Sequence, residues 1–347
     1  MRVNQKEGGQ ISIRFAHVAD FHLGYEQYGL EQRHQDFATA FYQAARKTVE
    51  LGLKVMLVAG DLFHVRNLNP KTLTQAVSVL KYLREEGVLV IAVEGNHDTP
   101  GYDGFSWFDY LQAEGYLLLL SPVYEEGKVS FGLPYKIETE VAGRPSDRAG
   151  RKLPEGRVGC VELNGCCIYG VGYLGASLNT LLPSIVDAIK ADDYKGPKVL
   201  LMHAGVEGFI PHLTGLNATA LNELRKAVDY LALGHIHIGY GVDNFAYNPG
   251  AVEPANISEF DREQGLLEVS FDASASPDGQ RYVPVVKRHR LSGRLFLRQN
   301  IDCDALKSRQ EFDTLICSSA EILEEEYENI DKAVYTSVKS FTNPYVS

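Results

Sequence analysis

Five short segments of this chain carry side chains able to bind metal ions or move protons: Asp20-Phe21-His22, Gly60-Asp61-Leu62-Phe63-His64, Gly95-Asn96-His97-Asp98, His203, and Gly234-His235-Ile236-His237. Each fragment alone is weak, because an isolated buried histidine is more often a satisfied core residue than a ligand. The combination is strong: six of the ten histidines fall in these segments. The chemistry that such a set supports is phosphoester hydrolysis at two metal ions. Of the seven proposed ligands, Asp20, His22, Asp61, Asn96, His203, His235 and His237, only the two aspartates are anionic. Two divalent cations bring +4, so about +2 is left to attract a phosphate oxyanion. A carboxylate can bridge two ions, which makes Asp61 a candidate for both sites. Mixed nitrogen and oxygen ligation suits Mn, Fe, Zn or Ni better than Mg or Ca.

These side chains must be brought together from distant parts of the chain. Nearly every segment follows an apolar, β-branched run that reads as a buried strand: Ile11 to Ala19, Leu53 to Ala59, Val88 to Val93, Val199 to Met202 and Tyr230 to Leu233. Sites assemble at the carboxyl ends of strands in α/β sheets, so ligands at strand exits converge on one crevice. Gly60, Gly95 and Gly234 directly precede ligands, where a missing side chain permits a tight turn and close approach. Apolar stripes at helical spacing predict amphipathic helices over 30–51 (Phe37, Ala40, Phe41, Ala44, Ala45, Val49) and 70–86 (Leu73, Ala76, Val77, Leu80, Leu83). The stripes either cover their own sheet or form a dimer face with Phe41 or Leu80 at the contact.

From about 121 to 175 shorter strands, Gly and Pro predict a second, antiparallel-rich half, with a surface loop over Ala142 to Glu155. Residues 181–191 read as a helix. Strands over Leu266 to Phe271, Tyr282 to Val286 and Arg294 to Arg298 lead to an acidic helix near Glu321 to Lys332, with a domain change near 275–290.

Composition narrows the class without deciding it. The 347 residues are 45% hydrophobic, enough for a large domain and a small one. The polar start, Met1 to Gln10, lacks the apolar core of a signal peptide, and runs such as Leu117 to Leu120 are too short to span a bilayer. A cytoplasmic, membrane-free protein is expected, nucleoid-associated in a prokaryote. The five cysteines form no C-x-x-C pair and read as reduced. A net charge of −11 does not announce a nucleic-acid binder, although a local patch can still attract phosphates. One basic stretch, Lys287, Arg288, Arg290 and Arg294, has no acidic residue between Arg281 and Arg298. It reads equally as a DNA contact or as a solvated strand surface.

The ordered segments resemble the calcineurin-like metallophosphoesterases, whose pattern is D-x-H, G-D, G-N-H-D/E, H and G-H-x-H, over about residues 12 to 260. Within that superfamily, residues 17–25 (HVADFHLGY), 60–64 (GDLFH) and 248–253 (NPGAVE) resemble the DNA repair nucleases typified by SbcD and meiotic recombination eleven. The resemblance implies a four-layer α/β/β/α metallophosphoesterase sandwich over 1–280 with a small C-terminal α/β capping domain over 281–347. It also implies two Mn²⁺ ions, a homodimer formed through helices of the first half, DNA as substrate and an SbcC-type SMC-like ATPase as partner. Carried over by residue, Asp20, His22, Asp61 and His237 hold one ion, and Asp61, Asn96, His203 and His235 the other. His97 acts on the leaving oxygen, Asp98 orients its ring, and His64 assists at the phosphate without binding metal; the bland alternative for His64 is a loop cap. His203-Ala204-Gly205 departs from the His-Gln-Gly often seen in the family, which keeps the ligand but changes its surroundings. His17, His34, His212 and His289 are expected to be core or surface residues. A phosphodiesterase or phosphatase for nucleotides or another small phosphoester is the alternative activity. A binding scaffold with a dead site is disfavoured by the complete ligand set.

Overall fold

The computed structural model describes residues 13–100, 104–137, 153–211, 213–259, 261–272, 282–294, 296, 306 and 308–326. The strands are β1 (Arg14–Val18), β2 (Val55–Ala59), β3 (Leu89–Val93), β4 (Leu118–Leu119), β5 (Val123–Glu125), β6 (Lys128–Ser130), β7 (Tyr135–Ile137), β8 (Cys160–Leu163), β9 (Cys166–Val171), β10 (Lys198–Met202), β11 (Tyr230–Leu233), β12 (Tyr240–Val242), β13 (Ala246–Asn248), β14 (Gly265–Asp272) and β15 (Val283–Arg290). The helices are α1 (Glu31–Glu50), α2 (Pro70–Glu85), α3 (Trp107–Ala113), α4 (Leu178–Ala191), α5 (Ala218–Arg225) and α6 (Arg309–Glu326).

One sheet has the order β15-β14-β1-β2-β3-β4 and the other β12-β13-β11-β10-β9-β8-β7, while β5 and β6 pair apart. Alternation along the central strands explains the layering. In β2, Val55, Leu57 and Ala59 enter a core shared with Val199, Leu201, Tyr230 and Ala232 of the opposite sheet. Met56 and Val58 point the other way, into a core with Phe41, Ala44, Leu80 and Leu83 of α1 and α2. The second sheet repeats the arrangement, with Leu200 and Met202 against Ile185, Ile189 and Leu224 of α4 and α5. Strands buried on both faces therefore read as continuous apolar runs, and three cores between four layers make the α/β/β/α sandwich.

Three expectations change. The second sheet is not antiparallel-rich: β7–β8, β9–β10, β10–β11 and β11–β13 are parallel, and only β8–β9 and β12–β13 are antiparallel. Its core strands belong to crossover units whose helices cover one face, which requires parallel pairing. Second, β15 lies beyond the expected boundary at 280 yet pairs with β14 from Gly265↔Arg290 to Asp272↔Val283, so it completes the first sheet. The chain divides into one unit of Met1–Ala255 with Glu263–Gly293, and another of Asn256–Arg262 with Arg294–Ser347, which contains α6. Third, Phe41 and Leu80 cannot mark a dimer face, because both are buried within the chain itself. Phe41 packs on Phe21 with ring centroids 4.5 Å apart. The aromatic that α1 does present to solvent is Tyr42, beside Tyr82 of α2.

α6 begins at Arg309, well before the expected start at Glu321. The expected loop over 142–155 and the strand over 294–298 fall mostly outside the described residues, as do His212 and Cys303. The other four cysteines are free thiols. His34 is buried against Thr72 (Nε2 to Oγ1, 3.0 Å), and His289 pairs with Glu268 at 2.7 Å. Among the described residues, no helix is long and apolar enough to cross a membrane.

Candidate metal centre

The five segments leave the carboxyl ends of β1, β2, β3, β10 and β11 and meet on one side of the two sheets. The β1 and β2 exits run on together: Asp20, His22 and Leu23 donate their N–H groups to the carbonyls of Gly60, Asp61 and Leu62 at 3.1, 3.0 and 2.9 Å. Four expected ligands sit in left-handed backbone, at φ 55° for Asp20, 48° for His22, 52° for Asp61 and 82° for His235. Asp and His tolerate this region better than most residues, but each such residue still costs about 1–3 kcal/mol. The surrounding ladder holds them there and turns their side chains inward. Gly60, at φ 86°, is needed twice over, since a Cβ there would also collide with the His203 ring. A Cβ on Gly95 would strike the Asp61 carboxylate.

Three donor clusters result among the described residues, one of Asp20, His22 and His237, one of Asp61, His203 and His235, and a third of His22, His64 and His97 without a carboxylate, each with ligand atoms within 4.8 Å of one another. His22 Nε2 and His237 Nε2 are 3.0 Å apart. In the second cluster, Asn96 Oδ1 lies 2.9 Å from His235 Nδ1 and 3.1 Å from His203 Nε2. Donors about 2.0–2.2 Å from a shared cation are separated from each other by about 2.9–3.6 Å, so these spacings fit a common ion. Asp61 Oδ2 joins the first two clusters, at 3.4 Å from His203 Nε2 and 3.8 Å from His22 Nε2. The tautomer of His203 follows from geometry. Its Nδ1 faces the Ala59 carbonyl at 2.6 Å and must donate, which leaves Nε2 free toward the cluster.

His97 and His64 flank these two clusters. Their rings stack with centroids 5.2 Å apart, and Tyr25 stacks on the far side of His64 at 3.8 Å. The ring-orienting contact expected of Asp98 is made by another group: His97 Nδ1 donates to the His64 carbonyl at 2.7 Å. Asp98 instead accepts the backbone N–H groups of Gly95, Phe63 and Leu62 at 2.9, 3.0 and 3.3 Å, fastening the β2 and β3 exit loops together. These three amides hold the Asp98 carboxyl in the loop backbone. The main chain carries His64 into the site as much as its imidazole does, because its carbonyl holds His97 Nδ1 and turns Nε2 away from that contact.

Burial dominates the electrostatics. It raises the Asp20 carboxyl to about 6, and it lowers His64 and His235 to about 4, with His97 and His203 respectively adding to the effect. Burial also opposes charge on His203, but the adjacent Asp61 outweighs it and lifts the imidazole to about 9. Asp61 in turn is held below the usual carboxylate range despite its burial, by His203 and His22. Without a cation the cluster therefore keeps a proton on His203 at neutral pH and takes one on Asp20 below about pH 6. Both must leave when those atoms ligate metal. Mn²⁺ binding is accordingly expected to release about one proton at pH 7–8, rising toward two as pH falls through about 6, with affinity weakening at each step. Calorimetric titration in buffers of different ionisation enthalpy measures this; release that does not increase below pH 6 would show that Asp20 stays ionised there without a cation.

Several supporting residues escaped the sequence reading. Arg157 makes hydrogen bonds of 2.8 and 3.1 Å to Glu94 and of 2.8 and 2.6 Å to Asp109, bracing the residue before Gly95 against the start of α3. Glu94, a carboxylate closing an apolar strand, was the available signal that a cation waits nearby. Tyr173 sets its ring 5.3 Å from that of His235. The basic stretch divides: Arg288 donates to the Pro249 carbonyl at 2.9 Å, whereas Lys287 and Arg290 are exposed, Arg290 in a surface pair with Glu263 at 2.7 Å.

Residues 13–239 match the family model for calcineurin-like phosphoesterases. The chain is 34% identical over 254 residues to the DNA double-strand break repair protein Mre11 of Archaeoglobus fulgidus, covering 71% of this chain and 52% of that protein. The Saccharolobus solfataricus protein of the same name is 26% identical over 228 residues, 65% of this chain and 49% of the relative. The chain thus spans about half the length of these relatives. A dimetal phosphatase from Danio rerio of known structure superposes with a TM-score of 0.47 at 13% identity, over 80% of this chain and 96% of its own.

Proposed function

Because this chain belongs to the calcineurin-like phosphoesterase family, we propose that it is a manganese-dependent DNA nuclease that hydrolyses phosphodiester bonds during double-strand break processing. The observation that carries the reading is the pair of donor clusters meeting at Asp61 beside His97, whose Nδ1 is engaged and whose Nε2 is left for proton transfer. Asp20, His22, Asp61 and His237 would hold one ion and Asp61, Asn96, His203 and His235 the other. Two ions there supply positive charge against the charge developing on a phosphodiester and make water a better nucleophile at neutral pH.

The chain's own residues do the rest. Asp61 accepts the His97 backbone N–H at 2.9 Å, so the shared ligand also places the acid–base residue. In the imidazolium form His97 keeps its Nδ1–H on the His64 carbonyl and gives its Nε2 proton to the leaving oxygen, ending as the neutral ring, and His64, stacked against Tyr25 and His97, holds that ring and lines the phosphate site. The name shared by the two Mre11 relatives supports DNA as the substrate. A homodimer and an SMC-like ATPase partner belong to the same reading. A small-phosphoester phosphodiesterase is the second reading, favoured by the net charge of −11 and by the engagement of Arg288 with the Pro249 carbonyl.

Purified protein with Mn²⁺ is expected to cleave labelled duplex or single-stranded DNA in preference to a panel of nucleotide monoesters and cyclic nucleotides. Turnover confined to the small substrates would replace the first reading with the second.

A further inference from the structure

Beside the metal centre lies a pocket of about 490 Å³ lined by His64, Val65, Arg66, Asn67, Asn96 and His97. Asn96 and His97 belong to the centre, so whatever fills the pocket adjoins the group bound there. The opposite wall is the segment between the β2 exit and α2, and its backbone is pinned along its length. His64 N–H donates to the Leu23 carbonyl at 3.0 Å, and the Trp107 indole N–H donates to the Arg66 carbonyl at 2.8 Å. Asn69 caps α2 by accepting the Thr72 N–H at 2.8 Å. The side chains on this fixed segment are nevertheless given to solvent: Val65 is 45% exposed, and Arg66 and Asn67 are exposed too. Arg66 donates to Thr99 Oγ1 at 2.7 Å, which positions the guanidinium without neutralising it, since a hydroxyl carries no charge.

We propose that this pocket seats the nucleotide on the leaving side of the scissile bond and that Arg66 binds the next phosphate of the same DNA strand. The proposal rests on the nuclease reading and deepens it by naming what distinguishes a polynucleotide from a small ester. A planar guanidinium fork matches a phosphate in a two-pronged contact. A pinned backbone keeps the ordering cost of that contact low. The pocket volume lies in the range of about 300–1,000 Å³ typical of ligand sites, and Val65 supplies apolar surface beside the polar groups. On a protein with a net charge of −11, a fixed cation at the site has more influence on a polyanion than the overall field does. A mononucleotide ester offers no second phosphate and gains nothing from Arg66.

Two variants separate charge from shape. Arg66→Gln can still donate to Thr99 but is neutral, whereas Arg66→Lys keeps the charge. Binding of a fluorescent single-stranded oligonucleotide is measured against KCl concentration, and kcat/KM with Mn²⁺ is compared between that oligonucleotide and bis(4-nitrophenyl) phosphate. For Arg66→Gln the ratio of DNA to small-diester kcat/KM is expected to fall about tenfold, and the logarithmic salt slope of binding to shrink by about 0.7, the loss of one phosphate contact. Arg66→Lys is expected to keep the wild-type slope. Equal losses on both substrates, or an unchanged salt slope in Arg66→Gln, overturn the subsite and leave the nuclease reading standing. A wild type that hydrolyses the small diester but not DNA removes the nuclease reading and the subsite with it.

Discussion

Asp61→Ala is expected to leave the protein without either ion and to lower phosphodiester hydrolysis by about 10³-fold or more, the equivalent of about 4 kcal/mol of lost charge stabilisation. The reason is the position of one carboxylate. Its Oδ2 faces His203 Nε2 in one cluster at 3.4 Å and His22 Nε2 in the other at 3.8 Å. Asp61 has a second task, since its Oδ1 accepts the His97 backbone N–H at 2.9 Å. Alanine removes both functions, so Asp61→Asn serves as the companion: the amide oxygen can keep the bond to His97 while the bridging charge is gone. Both variants should retain less than one Mn²⁺ per chain after dialysis, measured by elemental analysis against a wild type holding two. Loss of a single ion from either variant would show that the clusters do not share this ligand.

His97→Asn separates binding from chemistry. Its Nδ1 donates to the His64 carbonyl, and an asparagine amide can make the same bond, so the loop geometry should survive. What disappears is the second ring nitrogen, Nε2, the atom proposed to pass the proton. Metal content and affinity for DNA are expected to stay within about twofold of wild type, while cleavage falls by about 10²–10⁴-fold, the scale associated with a general acid or base. Single-turnover cleavage of labelled DNA, read beside an anisotropy titration, tests both halves together. Wild-type cleavage rates in this variant would exclude His97 from proton transfer. Reduced metal content would instead assign it a role in holding the β3 exit loop.

The sequence by itself determined which side chains would gather at the strand exits as candidate metal ligands. Apolar runs ending in Asp20, Asp61, Asn96, His203 and His235 are local patterns, and they emerge as the central strands β1, β2, β3, β10 and β11. Such strands are buried on both faces, so their composition is set by burial rather than by their partners. The helices over 30–51 and 70–86 were legible for a related reason, because each is long enough for several turns of an apolar stripe. Short elements were not: β4, β12, β13 and the seven-residue α3 contain too little repeat to show a period.

Only the tertiary structure decided the pairing of these pieces. Alternation in β14 and β15 marks two strands, but whether they extend the first sheet or open a new domain depends on residues far away in the chain. The same holds for the parallel core of the second sheet. At the site, the left-handed backbone of Asp20, His22, Asp61 and His235 is imposed by the neighbouring loops, since an isolated Asp or His residue would relax to a lower-energy conformation. The exchange of roles between Asp98 and the His64 carbonyl has the same origin. A side chain can be assigned a task from its type, whereas a backbone carbonyl is present at every residue, and only folding decides which one a histidine ring meets.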